Sequence, residues 1–84
     1  MKPPVDETLS LTQMAPGTIA VVCGYQPGSQ AYRSKLLSMG LTTGTEVRLE
    51  KLAPLGDPVE ITVRGFRLSL RKHEAQVLKL RRQA

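Results

Sequence analysis

Residues 59–70, VEITVRGFRLSL, alternate apolar and polar side chains on both sides of a single Arg64-Gly65 pair. A period of two marks a half-buried strand, and two such runs joined by two residues form a β-hairpin. With Arg64-Gly65 as the loop, Val63 stands opposite Phe66, Ile61 opposite Leu68 and Val59 opposite Leu70, so one face is wholly apolar. The other face sets Thr62 opposite Arg67 and Glu60 opposite Ser69 and stays wet. A slip of one residue would turn the apolar set to water, which fixes the register. Gly65 supplies the positive φ of a tight primed turn, whereas Arg64 suits the first loop position less well than Asn or Asp.

Working outward, Leu55-Gly56-Asp57-Pro58 has turn chemistry: Asp57 can bond neighbouring backbone, and Pro58 holds Asp57 extended on its way into the hairpin. Before it, Val47 and Leu49 alternate with Glu46, Arg48 and Glu50 as a strand. In TIAVVCGY, residues 18–25, Ile19, Val21 and Cys23 share one face while Ala20 and Val22 make the other apolar too, which predicts a strand covered on both sides. The run SQAYRSKLLSMGL, residues 29–41, changes period. Tyr32, Leu36 and Met39 fall at i, i+4 and i+7, with Leu37 widening the stripe, as a helix of about three turns requires. Ser29 is its expected N-cap, and Gly40 its left-handed C′ residue with Leu41 folding back. After the hairpin, residues 71–75, RKHEA, allow one helical turn before a last strand at Leu78 and Leu80. Leu9 and Leu11 flank Ser10 in a short strand-like alternation. Residues 1–8 are aperiodic and carry two prolines, so they are expected to be a flexible arm before a single domain over 9–84.

An 84-residue chain is near the lower limit for a core without staples. The lone Cys23 excludes an intrachain disulfide, and no CxxC or CxxH spacing offers zinc ligands. The elements predict a mainly β fold, a small closed barrel of about five strands with one short α-helix. Its expected inward residues are Ile19 and Val21, then Leu36, Leu37 and Leu41 around the helix, then Val47 and Leu49. Val59, Ile61, Val63, Phe66, Leu68 and Leu70 follow from the hairpin, with Leu78 and Leu80 from the last strand.

The longest apolar run, residues 19–23, is far short of the ~20 residues that span a bilayer. The N-terminus lacks the apolar stretch of a secretory signal, so a cytoplasmic protein is expected. Twelve Lys/Arg against seven Asp/Glu give a net charge of +5. After position 63 the bases Arg64, Arg67, Arg71, Lys72, Lys79, Arg81 and Arg82 face only Glu74. Such a surface attracts nucleic acid, acidic proteins or an anionic leaflet. Nucleic acid is not the expected partner, because Tyr25, Tyr32 and Phe66 are the only aromatics and form no stacking platform.

Catalytic motifs are absent: there is no GxxxxGK[ST], GxGxxG or GxSxG. Cys23 with His73 is the one conceivable nucleophile and base, and Cys23 reads as a small core residue. His73, Glu74 and Asp57 do not make the clustered imidazole and carboxylate set that Fe(II) calls for. The expectation is a protein that is not an enzyme, with no cofactor and no metal site, acting by contact. The contact face is placed on the helix, whose stripe is wider than a small barrel can cover, at Tyr32, Arg33, Lys35, Leu37 and Met39.

Two blocks, YRSKLLSMGLTTGTEV at 32–47 and APLGDPVEITVRGFRLSLRKHEA at 53–75, resemble the ferrous iron transport protein A family (FeoA). The APLGDP loop, the RG turn and the LSLRKHEA ending occur in the family's order and spacing; Thr43 stands where the family commonly has proline. The resemblance runs from about Leu9 to Leu80. It implies a small Src-homology-3-like (SH3-like) barrel, and a cytoplasmic accessory of the membrane ferrous iron transporter's GTPase-bearing B component. It also leaves room for peripheral association with the inner membrane. The alternatives are a stand-alone SH3-like domain of the metal-dependent repressor type and a basic nucleic-acid-binding barrel.

Overall fold

The computed structural model describes residues 8–28, 30–55 and 57–83. The central feature is the predicted hairpin. Strands β4 (Val59–Val63) and β5 (Phe66–Leu70) pair in the expected register, Val63 with Phe66, Ile61 with Leu68 and Val59 with Leu70. Arg64 and Gly65 have φ of 53° and 83°, the two positive values of a type I′ turn.

Strand β1 (Thr8–Leu9), β2 (Ile19–Tyr25), β3 (Glu46–Leu52) and β6 (Leu78–Arg82) complete one antiparallel sheet, in the order β1-β6-β2-β3-β4-β5. The sequence predicted a closed barrel of about five strands; among the described residues the sheet has six and does not close, leaving β1 and β5 as its two edges. Thr8, assigned by the sequence to the arm, pairs with Arg81, and the rest of the arm lies outside the described residues. Leu11 does not extend β1. It opens a 3₁₀ turn, Leu11–Gln13, in which the Gln13 side-chain oxygen accepts the Ser10 N–H at 2.9 Å, and it is wholly buried.

Helix α1 spans Gln30–Ser38, and its N-cap position, Ser29, lies outside the described residues. Its end is as predicted. Gly40 has φ 88°, its N–H donates to the Leu37 carbonyl, and the Leu41 N–H donates to the Leu36 carbonyl, each at 3.0 Å. This is a Schellman motif, and the accompanying Leu36 and Leu41 side chains are both fully buried. A second helix, α2 (Lys72–Val77), corrects the expectation of one. The Glu74 carboxylate turns back to accept the Arg71 N–H at 2.9 Å, satisfying an orphan donor of the first turn, while Ala75 and Val77 enter the core.

The core holds Leu36, Leu41, Val47, Leu49, Val59, Ile61, Val63, Leu70, Leu78 and Leu80 as expected, and adds Leu11, Met14, Ala20, Val22, Ala75 and Val77. Strand β2 faces the other way from the prediction. Ala20 pairs with Val47 and Val22 with Leu80, all buried, so Ile19 and Val21 lie on the outer face and Ile19 is 38% exposed. Cys23, expected on their face as a core thiol, is half-buried at a bulge between Val22 and Gly24, where its Sγ donates to the Lys79 carbonyl. Phe66 is the other correction. It is 72% exposed, because the hairpin tip has neighbours on the β4 side alone, and burial rises along β5 through Leu68, partly buried, to Leu70. Leu37 is likewise outside the core.

Candidate interaction surface

The expected contact residues all sit on or just after α1, but the fold divides them. Tyr32, Lys35 and Met39 share one side by helical spacing, while Arg33 and Leu37, four apart, share another. Met39 is half-buried against the core, next to the buried Leu36. Tyr32 and Leu37 remain 40% exposed each and are the large apolar side chains that α1 presents.

The two cations are engaged within the molecule. The Lys35 Nζ donates to Glu74 Oε2 at 2.5 Å, tying α1 to α2. Glu74 is 5% exposed, and the Lys35 ammonium, seconded by the Arg71 N–H, holds its carboxyl below the ordinary range against the opposing pull of burial. Arg33 lies over the Tyr25 ring, 5.2 Å from its centre, a cation–π contact. Tyr25 in turn donates its hydroxyl to the Leu41 carbonyl at 2.6 Å. The helix is thus fixed through Leu36, Lys35 and Arg33, and what it offers outward is Tyr32, Leu37 and the free part of its cations. Tyr25 and Glu74 are supports that spacing alone gives no sign of.

Two hollows that share Glu46 and Arg64 lie beside the hairpin turn. One, of about 380 Å³, is lined by Thr42, Thr43, Gly44, Thr45, Glu46 and Arg64. The other, of about 300 Å³, is lined by Ile19, Glu46, Arg48, Thr62, Arg64 and Gly65. The Thr42–Thr45 loop is pinned to β2 by Gly44 N–H to the Val22 carbonyl and Val22 N–H to the Thr45 carbonyl, at 2.7 and 2.9 Å. Arg64 reaches the Thr45 hydroxyl at 3.4 Å. The lining is polar, with threonine hydroxyls, the Glu46 carboxylate and the Arg48 and Arg64 guanidinium groups.

Asp57 acts across the fold. Its Oδ1 accepts the Lys72 N–H at 3.2 Å and lies 3.5 Å from Arg71 Nε, so the loop before the hairpin anchors the start of α2. Among the described residues no three or more His, Cys, Asp and Glu side chains cluster as a metal site, and no helix is long and apolar enough to cross a membrane.

The FeoA domain model matches residues 9–82. The solution structure of a FeoA-like protein from Clostridium acetobutylicum is similar with a TM-score of 0.83 and 34% identity, over 95% of this chain and 92% of that one. A crystal structure of FeoA described as an iron uptake regulatory protein matches at 0.78 and 30%, over 92% and 99% of the two chains. Stenotrophomonas maltophilia FeoA, crystallised with zinc and described as a procaryotic SH3 domain protein, matches at 0.73 and 29%, over 86% and 88%. The hairpin, the helix and the loop that carry the sequence resemblance therefore sit in a fold shared along almost the whole chain, and the chain belongs to the FeoA domain family of iron-uptake proteins.

Proposed function

We propose that this domain is a cytoplasmic, non-catalytic regulator of ferrous iron uptake that docks on the membrane ferrous iron transporter's GTPase-bearing B component through the outer side of α1. The observation that supports this reading is the pairing of exposure with rigidity. Tyr32 and Leu37 stand 40% exposed on a helix held by the buried Leu36, by Lys35 on Glu74 and by Arg33 over Tyr25. Tyr and Arg are enriched at the energetic centre of protein interfaces, and Leu37 adds apolar area beside them. The description of Stenotrophomonas maltophilia FeoA as a candidate ferrous iron transport activating factor points the same way. The net charge of +5 adds attraction to the anionic leaflet in which such a transporter is embedded.

The test is capture of the transporter's cytoplasmic domain by the immobilised protein, repeated with Leu37→Asp. The Leu37 contribution to the α1 cap is its backbone carbonyl, so the substitution removes none of the hydrogen bonds of the cap, and circular dichroism of the variant checks that the fold is retained. Loss of a central anchor weakens binding by about 2 kcal/mol or more, roughly thirtyfold. Failure of the parent protein to capture, or undiminished capture by the variant, overturns the reading.

A further inference from the structure

Strand β5 ends the sheet, and among the described residues it is paired only with β4. A two-residue turn makes Val63–Phe66 a hydrogen-bonded pair, and the alternation of an antiparallel ladder then directs the N–H and C=O of Arg67 and Ser69 away from β4. Such a row of donors and acceptors is a template for one more strand. The surroundings of the edge define what that strand must be. On the inner face, Phe66 at 72% exposure and the half-buried Leu68 carry an apolar floor beyond the core. On the outer face stands Arg67, with Arg64 at the turn and Arg71 and Lys72 just past the strand. The ion pairs these cations make are Arg67 with Glu60 at 3.8 Å and Arg71 with Asp57 at 3.5 Å; Glu74, already held by Lys35, also acts on Arg71, and Glu46 lines the same hollow as Arg64. Both ion pairs are long, exposed ones of the kind that contributes little and yields readily to a competitor.

We propose that the β5 edge takes up an extended acidic peptide segment as an added strand. Its alternate apolar side chains lie beside Phe66 and Leu68, and its alternate carboxylates lie beside Arg67. A second copy of this chain is the poorer occupant, because pairing β5 with itself would set Arg64, Arg67 and Arg71 of one copy alongside the same three of the other. The proposal does not rest on the α1 reading, and the two surfaces are tested by different substitutions.

The experiment titrates isotope-labelled protein with an acetylated, amidated eight-residue peptide alternating valine and glutamate, and with its valine and lysine counterpart. The expected result is saturable shifts centred on the Arg67 and Ser69 amides, slowed hydrogen exchange at both, and binding of the lysine peptide at least about tenfold weaker. Arg67→Glu weakens the acidic peptide by roughly fivefold or more. Ser69→Pro abolishes binding, since it removes an outward donor on the side of an edge strand where proline is tolerated; should that variant not fold, Arg67→Glu carries the test. Absence of shifts at millimolar peptide, shifts centred elsewhere, or equal binding of the lysine peptide overturns the proposal. So does protection of the same two amides that rises with protein concentration without peptide, which identifies a second copy as the occupant.

Discussion

Truncating the hairpin one side chain at a time reads out where the core ends. Ile61 is wholly buried, held between Leu49 on β3 and Leu68 on β5. Ile61→Ala removes buried methyl and methylene groups and leaves a cavity, at a cost of about 2–5 kcal/mol. Phe66 shares the hairpin's apolar face, yet at 72% exposure little more than a quarter of it is shielded. Scaling the ~3–5 kcal/mol of a fully buried Phe→Ala change by that fraction gives about 1 kcal/mol. Leu68→Ala falls between, and Leu70→Ala joins Ile61→Ala at the high end. A domain of this size has about 4–13 kcal/mol of total stability, so these costs are a large share of it and the variants are ranked by urea unfolding followed by circular dichroism at low temperature, a variant that is unfolded without urea ranking lowest. The midpoints must fall in the order Phe66, Leu68, then Ile61 and Leu70, with unchanged m-values. A Phe66→Ala cost equal to that of Ile61→Ala would refute the reasoning, because it would mean that the hairpin tip is covered in the native protein.

Arg64→Asn should raise the thermal midpoint by an amount worth up to about 1 kcal/mol, since Asn adopts the φ of 53° more readily than Arg; an unchanged midpoint would count against strain at that turn. Gly40→Ala, at φ 88° with nothing within 4 Å of the added methyl, should cost about 1–2 kcal/mol through backbone strain alone, read from chemical unfolding. Glu74 titrates below its unfolded value of 4.5, so its stabilising contribution is complete above that value and is lost as pH falls through the lower folded value. Glu74→Gln should therefore flatten the acid limb of a plot of stability against pH while lowering stability at neutral pH, and an acid limb identical to the parent's would contradict this. Asp57→Ala, which takes away the acceptor of the Lys72 N–H, should cost about 0.5–2 kcal/mol, with increased amide exchange confined to α2.

The sequence was most legible where the signal is local and has contrast. The β4–β5 register, β3 and the end of α1 follow from a period of two, a period of 3.6 and a glycine at a cap, and all three are present as read. Strand β2 misled because Ile19, Val21 and Ala20, Val22 are apolar on both faces, so alternation carried no preference; pairing with Val47 and Leu80 decided it. Phe66 misled for another reason. Periodicity tells which face a side chain is on, but the extent of the core is set by what other elements bring over that face. Leu11, Met14, Ala75 and Val77 belong to segments too short to show a period. At the candidate surface the spacing singled out α1, but it did not show that Tyr32 and Leu37 stand on different sides of the helix or that Met39 turns to the core. Nor did it show the supports, since Glu74 lies 39 residues from Lys35 and Tyr25 bonds a carbonyl 16 residues away.

The bond from Tyr25 to the Leu41 carbonyl, under the stacked Arg33, has a consequence for encounter as well as for fold. On the proposed reading, a docking helix tied to one aromatic post through Arg33 in its first turn and Leu41 just past its end has already surrendered its swing before any partner arrives. The entropy of aligning it is settled when the chain folds, and a visitor meets a shape that is ready. Replacing the post with Phe would leave the ring under Arg33 and remove only the latch, turning a stiff landing site into a hinged one.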